Sequence, residues 1–300
     1  MNRMRIGIDV GGTKIEGVLL DGIEVVERER ELTPQADGYD AILEEIRRLV
    51  DRMRGLAGQE PPIGVCTPGA ASPRTGRLRN SNTLSLNGQD LHRDLEDRLG
   101  QTVFIENDAN CFALAEAVAG AAEGAGTVFG VILGTGVGGG IVFSGRVHRG
   151  RLHIGGEWGH HTLHPEGRDC YCGRRGCVES YLSGPALESS WQELSGESRE
   201  LADLVGDTDA LESDAGRRWK EILLGDFGIA LANVINILDP DVVVLGGGVS
   251  NIPFLYTEGA EAVRANIFSD VQDTPILQNR LGDSAGVIGA ALLNESEPRG

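Results

Sequence analysis

Two stretches of this chain share one layout, IGIDVGGTKIEGVLLDG at residues 6–22 and FGVILGTGVGGGIVFSG at residues 129–145. Each predicts an apolar strand, a glycine turn and a second strand, because short apolar runs bounded by glycine are typical of buried strands. An internal repeat of this size indicates two related domains that arose by duplication. A third glycine cluster, at residues 246–248, follows another apolar run.

The residues around the two repeats predict further helices and strands. Apolar residues at helical spacing predict helices over 39–54, 109–120, 226–238 and 284–293, and short apolar runs predict strands over 63–66, 103–105 and 242–245. The chain has 300 residues, which is enough for two domains that each bury a core.

The charge of the chain limits its partners. It carries 45 acidic and 27 basic side chains, a formal net charge of −18. Such a surface repels nucleic acid and anionic lipid, so we expect neither as a partner. The sequence shows neither a signal peptide nor a long apolar run, which predicts a cytoplasmic protein.

The first glycine turn carries residues suited to phosphate. Glycines at a turn between strands expose backbone N–H groups to phosphate oxygens, and a lysine and a threonine add a charge and a hydroxyl. An aspartate before the turn can hold Mg²⁺ directly or through water. The spacing differs from that of a P-loop, and a plain β-hairpin turn is the alternative. The candidate residues are Asp9, Gly11, Gly12, Thr13 and Lys14.

The second glycine turn matches the pattern G-x-G-x-x-G, but a dinucleotide fingerprint must open a helix. Residues 141–143 predict a strand instead, so a second phosphate-holding hairpin fits better than a dehydrogenase site. Its candidate residues are Gly134, Thr135, Gly136 and Gly138. The third cluster, Gly246, Gly247 and Gly248, offers bare backbone on which a nucleotide base or ribose could pack.

Asp108 is the candidate general base. A kinase of small alcohols needs a carboxylate to accept or orient the hydroxyl proton, and the run ENDAN puts Asp108 at a predicted strand-to-helix turn. An ordinary helix cap is the alternative. Asn82, in the run NSNT, offers an amide to sugar hydroxyls, with a polar surface loop as the alternative. Glu157 can accept hydrogen bonds from two hydroxyls.

One imidazole and three thiolates provide a complete ligand set for a closed, structural zinc. They are His160, Cys170, Cys172 and Cys177. His161 and His164 compete for the imidazole position, and three unligated thiols are the alternative. We do not expect a catalytic zinc, because four protein ligands leave no open position. Glu179 follows the last cysteine by two residues, so the metal would fix the backbone that aims Glu179 and Glu157.

These motifs occur in the order found in the ROK family of repressors, open-reading-frame proteins and sugar kinases, which the chain resembles from residue 6 to about residue 291. They are DVGGTK, the turn at 64–69, NDAN, GTGVGGG, EWGH, the segment 170–179 and LGGGVSN. The resemblance implies an actin/hexokinase-like (ribonuclease H-like) α/β fold with two domains and an interdomain cleft. It implies a small domain over 1–120, completed by a C-terminal helix at 284–300, a zinc-bearing domain over 121–283, and a homodimer.

The resemblance also implies an ATP-dependent hexose kinase that phosphorylates the 6-hydroxyl of its sugar. Asp108 is then the catalytic base, and the first two glycine turns hold the phosphates of ATP·Mg²⁺. The zinc is structural. The sugar is lined by Asn82, Asn107, Asp108, Glu157, His160 and Glu179.

The resemblance leaves several sugars open. Residues 72–91 look like bacterial fructokinases that also take mannose, which predicts fructose, although the loop after Asn82 lacks the bulky aromatic expected of that type. Residues 170–184 look like those enzymes and like N-acetylglucosamine kinases, so N-acetylglucosamine or glucose is the alternative. A non-catalytic sugar-sensing protein or repressor is the rival of another class. A repressor is disfavoured because the first hairpin begins at residue 6 and the charge opposes DNA binding.

Overall fold

The computed structural model describes residues 3–81 and 83–293, and the chain forms two compact units. Unit 1 comprises Met1–Gly124, Gly140–Gly155 and Leu281–Gly300. Unit 2 comprises Ala125–Gly139 and Gly156–Arg280. The C-terminal segment therefore belongs to the unit that begins the chain. Residues 140–155 belong to the same unit.

The strands come in groups along the chain, and five helices follow one another in its second half. The strands are β1 (Met4–Val10), β2 (Lys14–Asp21), β3 (Glu24–Leu32), β4 (Ile63–Thr67), β5 (Ala70–Ala71), β6 (Leu78–Arg79), β7 (Val103–Asn107), β8 (Thr127–Leu133), β9 (Val137–Phe143), β10 (Arg146–Val147), β11 (Val242–Gly246) and β12 (Ile276–Gln278). The helices are α1 (Tyr39–Ala57), α2 (Leu91–Leu99), α3 (Asp108–Ala119), α4 (Glu179–Leu182), α5 (Gly184–Ser195), α6 (Leu201–Gly206), α7 (Thr208–Glu212), α8 (Asp214–Leu238), α9 (Glu258–Arg264) and α10 (Ala285–Leu292).

Two five-stranded sheets have matching strand orders, β3-β2-β1-β4-β7 and β10-β9-β8-β11-β12. In the first sheet β1 pairs antiparallel with β2 and parallel with β4, and β4 pairs parallel with β7. In the second sheet β8 and β12 both pair parallel with β11. The two similar stretches of sequence therefore occupy equivalent positions, β1–β2 in one sheet and β8–β9 in the other.

The core of unit 1 lies where α1 packs on its sheet. Helix α1 buries Ile42, Ile46, Leu49 and Met53, which recur every three or four residues and so form one face. Apolar side chains of β1, β2 and β4 complete the same cluster. The helix ends at Gly58, whose left-handed backbone lets its N–H bond to a carbonyl of the last turn.

Helix α10 packs directly on backbone in unit 1, and glycine makes this possible. A Cβ atom at Gly64 of β4 would lie 1.8 Å from the Ala290 carbonyl oxygen, and one at Gly7 of β1 would lie 2.2 Å from another carbonyl of α10. On the helix itself, a Cβ at Gly289 would lie 1.8 Å from the carbonyl oxygen of Cys111 in α3. These distances leave no room for any other residue, so the three glycines fix the C-terminal helix in its place.

Helix α8 is the long core helix of unit 2. Its first turn is capped by Ser213, whose hydroxyl accepts the Gly216 N–H at 3.0 Å, and it buries Trp219, Phe227 and Ile235. Within the described part of the chain it is the one helix that is long and apolar enough to cross a membrane. Here it packs against α5, α7 and α9, as a core helix does.

Several elements differ from the sequence prediction, such as α2, α5 and α9, which the sequence does not predict. Three of the differences have a clear physical reason. The sequence does not predict β3, because its residues are mostly charged and exposed, as is common for a strand at the edge of a sheet. Helix α8 begins at Asp214, twelve residues before the predicted start at residue 226. Strand β9 begins at Val137, inside the expected turn, because its glycines extend along the strand where other backbone packs closely.

Candidate active site

The first glycine turn joins β1 to β2 in unit 1. The Gly11 N–H donates to the Lys14 carbonyl at 3.0 Å and closes the turn. Thr33 supports it, since its N–H donates to the Thr13 carbonyl at 3.0 Å and its hydroxyl donates to the Gly11 carbonyl at 2.7 Å. The Gly12 carbonyl accepts from Gln35. Because these carbonyls are bonded within the protein, the turn can present its N–H groups and the exposed side chains of Thr13 and Lys14 to phosphate.

Asp9 lies near the end of β1, beside Cys66 of β4 in the sheet register. Burial, followed by the charge of Asp108, raises the pKa of Asp9 to about 6, against a hydrogen bond from the Cys66 thiol that lowers it. A carboxylate that ionises with difficulty by itself gains most from a nearby cation, and Mg²⁺ prefers such oxygen ligands. The residues present therefore fit the Mg²⁺ ion expected at Asp9.

Asp108 begins α3 at the turn that follows β7. Asn107 caps the helix, because its Oδ1 accepts the Asn110 N–H at 2.8 Å. Asp108 is exposed, and its Oδ1 accepts the Ala109 N–H at 2.8 Å. The two interpretations of this motif, a general base and a helix cap, thus apply to different residues. Asn107 is the cap, and the carboxylate of Asp108 is held at a rigid helix start without being needed for capping.

The second glycine turn joins β8 to β9 and belongs to unit 2. The Gly134 N–H donates to the Gly136 carbonyl at 2.9 Å, and the Gly134 carbonyl accepts the Gly184 N–H of α5 at 2.8 Å. Thr135, at the tip, is exposed. The turn is therefore closed on itself and anchored to a helix, with its tip open to a ligand.

The segment that carries Glu157 lies directly on β9. A Cβ atom at Gly139 would lie 2.6 Å from the Gly156 carbonyl oxygen, and one at Gly159 would lie 2.0 Å from the Val137 carbonyl oxygen. The glycines of this strand are thus needed for close packing as well as for the turn. Glu157 is exposed on this tightly packed segment, as a residue that binds a ligand should be.

Glu179 begins α4 and is bonded to the second glycine turn. Its Oε2 accepts the Val137 N–H at 2.9 Å, and a Cβ at Gly136 would lie 2.7 Å from the same oxygen. The next residue of the strand, Gly138, accepts the indole N–H of Trp158 at 3.2 Å through its carbonyl. The predicted phosphate hairpin and two predicted sugar residues, Glu157 and Glu179, are therefore built as one assembly in unit 2.

The third glycine cluster meets the second. Strand β11 ends at Gly246, and a Cβ at Gly247 would lie 2.3 Å from the carbonyl oxygen of Leu133, the residue before Gly134. Gly247 has φ +82°, which favours glycine. Gly248 begins a short 3₁₀ helix, and a Cβ there would meet nothing within 4 Å. The cluster thus combines one glycine required by packing with one that leaves open space.

The predicted zinc ligands come together in unit 2. Cys170 Sγ lies 3.6 Å from His160 Nδ1, Cys172 Sγ lies 3.6 Å from Cys177 Sγ, and all four ligand atoms lie within 4.8 Å of one another. A tetrahedron with Zn–S bonds of about 2.3 Å places its ligand atoms about 3.8 Å apart. The four residues therefore fit a four-coordinate zinc with no position left for water, whose contribution when bound is to hold the surrounding loop.

The competing imidazole of His164 is engaged elsewhere. Its Nε2 lies 2.7 Å from Asp226 Oδ1 of α8, and its ring packs edge-on against Tyr181. The other nitrogen of His160, Nε2, lies 3.1 Å from the Tyr171 hydroxyl. Tyr171 is 81% exposed, and a tyrosine hydroxyl keeps its proton at neutral pH. The histidine predicted to face sugar therefore has a tyrosine beside it.

Comparison with known proteins shows the family to which this chain belongs. The sequence model of the ROK family matches residues 5–297. The chain belongs to the ROK family. It is 39% identical to an N-acetyl-D-glucosamine kinase of Photobacterium profundum, over 97% of this chain and 99% of that protein.

Solved structures agree with this assignment. A ROK hexokinase from Thermus thermophilus is similar with a TM-score of 0.87 and 37% identity, over 96% of this chain and 97% of that one. A ROK family glucokinase from Streptomyces griseus, crystallised with glucose and AMPPNP, is similar with a TM-score of 0.75 and 28% identity, over 96% and 98% of the two chains. These relatives confirm the predicted hexokinase-like fold and the prediction that this ROK protein is a sugar kinase.

Asn82, predicted to bind sugar, lies outside the described residues. Four other residues, which contact the candidate site or its supports, are not among those that the sequence predicts. Tyr171 stands between two predicted zinc ligands in Cys-Tyr-Cys, and that position is the one signal in the sequence for its contact with His160. Gly139 and Gly159 carry no signal that separates a packing glycine from a turn glycine. Arg149, whose guanidinium pairs with Glu106, also went unnoticed because the two lie 43 positions apart.

Proposed function

We propose that this ROK protein transfers the γ-phosphate of ATP to the 6-hydroxyl of N-acetylglucosamine. The observation that carries the choice of sugar is its similarity, across nearly the whole of both chains, to the kinase of Photobacterium profundum. Fructose, which the sequence predicted first, has no support among the named relatives. The alternative that the sequence placed next, N-acetylglucosamine, therefore takes its place.

Asp108 is the proposed base. The 6-hydroxyl oxygen attacks the γ-phosphorus, the bond from phosphorus to the bridging oxygen of ADP breaks, and the hydroxyl proton passes to the Asp108 carboxylate. Its exposure at a rigid helix start supports this role, because a base must reach the substrate without rearranging. In a loose phosphoryl transition state, orientation of the hydroxyl contributes as much as basicity.

The donor phosphates are proposed to lie on the first two glycine turns. The N–H groups and the Lys14 ammonium of the first turn would neutralise phosphate charge, with Mg²⁺ held at Asp9. Thr135 and Gly136 of the second turn would contribute in the same way. Gly246, Gly247 and Gly248 would lie against the ribose or base, a role supported by the open space at Gly248.

The sugar hydroxyls are proposed to bond to Asn82, Asn107, Glu157, His160 and Glu179. Carboxylates that accept from two hydroxyls and an imidazole suit a polyol. The zinc would hold His160 directly and Glu179 through the neighbouring Cys177. The metal supplies structure and no chemistry in this scheme.

The decisive experiment measures ADP production with ATP and Mg²⁺ against a panel of N-acetylglucosamine, glucose, mannose, fructose and N-acetylmannosamine. We expect the highest kcat/KM on N-acetylglucosamine. Glucose is the second candidate, because the hexokinase and glucokinase relatives favour it. Higher kcat/KM on fructose would reverse the present choice of sugar. No turnover of any sugar by folded, zinc-loaded protein would refute the kinase.

The role of Asp108 has its own test. Asp108→Asn should lower kcat by about 10²- to 10⁴-fold, because the variant keeps the size of the side chain and loses the proton acceptor. Sugar binding, measured by calorimetry without ATP, should change little. Asp270→Asn is the matched control, since Asp270 is exposed on a distant stretch of sequence. A kcat for Asp108→Asn near that of the control would eliminate Asp108 as the base.

A further inference from the structure

Arg149 and Glu106 form an ion pair that is almost enclosed within unit 1. Their side chains are 17% and 9% exposed, and Arg149 Nε pairs with Glu106 Oε2. A second nitrogen of the guanidinium donates to the Ile105 carbonyl at 3.4 Å. Taking two charges out of water costs free energy unless both are paired and hydrogen-bonded. This arrangement meets that condition, and the loop Gly140–Gly155 supplies its positive partner.

The other oxygen of Glu106 holds the turn that carries Asp108. Oε1 accepts the Asn107 N–H at 2.9 Å and the Asn110 side-chain N–H at 3.0 Å. These two residues flank the position of Asp108, one before it and one two residues after it. The orientation of the proposed base is therefore fixed by the carboxylate of Glu106, which is itself fixed by Arg149.

The amide of Asn110 adds a second observation. Asn110 is 6% exposed, and within the described part of the chain its Oδ1 is buried without a hydrogen-bond partner. An orphaned buried oxygen is unfavourable, but turning the amide over would bring that oxygen against Glu106 Oε1, which is also an acceptor. The bond to Glu106 therefore determines which way the Asn110 amide faces.

The backbone of Arg149 is also fixed. The Gly155 N–H donates to the Arg149 carbonyl at 2.9 Å and closes a loop. A Cβ atom at Gly155 would lie 2.4 Å from the His148 carbonyl oxygen, so glycine is needed for this closure. In the sequence, Glu157 follows two residues after this loop. Arg151, within the loop, is exposed and provides a matched control.

We propose that Arg149 is a positioning residue of the kinase, which through Glu106 sets the orientation of the turn that bears Asp108. The inference rests on the proposed function, in which Asp108 is the base. Arg149 is not placed in contact with substrate, so its loss should act on the chemical step through misalignment. A displacement of about 1 Å at a reacting group can cost about 100-fold in rate.

The test compares Arg149→Met, Arg149→Lys and the control Arg151→Met in the sugar kinase assay. We expect kcat of Arg149→Met to fall about 10- to 100-fold, with a much smaller change in the KM for sugar. Lysine keeps the charge but lacks the forked donors of arginine, so Arg149→Lys should recover kcat only in part. Arg151→Met should match the wild type.

A double variant separates positioning from simple charge compensation. Arg149→Met leaves the buried carboxylate of Glu106 unpaired and can impair folding, whereas Glu106→Gln/Arg149→Met removes that charge. We expect the double variant to regain the thermal stability of the wild type while its kcat stays low. Full kcat in either variant would overturn the inference, and so would a loss of kcat that equals the loss of folded protein. Wild-type protein inactive on every sugar would instead overturn the proposed function.

Discussion

Replacing Asp9 with asparagine should stabilise the folded protein at neutral pH and abolish its activity. The pKa of Asp9 rises from 3.8 to about 6 on folding, chiefly through burial. A difference of about 2 in pKa corresponds to about 3 kcal/mol. The folded state binds this proton more tightly than the unfolded state. Ionising Asp9 therefore costs the folded state stability. This loss is absent below about pH 4, grows as the pH rises towards 6, and is complete above it.

The measurement is urea unfolding without Mg²⁺ at pH 4.5 and pH 8 for wild type, Asp9→Asn and the control Asp270→Asn. At pH 8 we expect Asp9→Asn to exceed the wild type by up to about 3 kcal/mol in free energy of unfolding. At pH 4.5 the difference should fall to about 1 kcal/mol, and Asp270→Asn should track the wild type throughout. The reasoning would be refuted if Asp9→Asn were no more stable than the wild type at pH 8. It would also be refuted if the gain in free energy of unfolding were the same at both pH values. Its kinase activity should be lost, because a neutral amide is a weaker ligand than the carboxylate that is proposed to hold Mg²⁺.

Two further predictions concern the metal and the glycines. Wild-type protein should contain about one zinc per chain, and Cys172→Ser should lose the metal and lower Tm; a metal-free native protein of full activity and stability would contradict this. Gly64→Ala should destabilise unit 1 by more than about 3 kcal/mol, because its Cβ would lie 1.8 Å from the Ala290 carbonyl oxygen, which is backbone and cannot move aside. Gly55→Ala in α1 is the control, since a Cβ there meets nothing within 4 Å, and it should be neutral or stabilising by about 1 kcal/mol in chemical denaturation.

The parts of the fold that follow from local pattern were predictable. Apolar spacing and glycine turns predict the two hairpins, α1 and β11, and the structure contains them. Strand β3 could not be predicted in this way, because an edge strand with both faces largely exposed needs no apolar alternation. The first half of α8 was missed because Asp214, Arg217 and Arg218 lie in an exposed, charged stretch whose helicity depends on the cap at Ser213.

The candidate site divides in the same way. The clustering of three thiols and one imidazole could be predicted, since residues of these types at this spacing are typical of zinc sites, and Asp108 stands in a short motif. The contacts of Arg149 and Tyr171 could not be predicted, because only the fold brings their partners Glu106 and His160 near. The roles of the individual site residues, the domain boundaries and the homodimer stay predictions.

Glu179 explains why a structural metal should matter to a phosphate site. Its carboxylate bonds to the Val137 N–H, at the point where the second glycine turn enters β9. Its backbone follows Cys177, a predicted zinc ligand, by two residues, and Gly136 lacks the Cβ that would displace the carboxylate. A shift of the zinc loop would therefore move Glu179 and deprive that turn of its acceptor. Loss of zinc should weaken sugar and nucleotide binding together, because the proposed function gives this one carboxylate a part in both sites. A metal that only stabilised the fold would leave both affinities unchanged in the protein that remains folded.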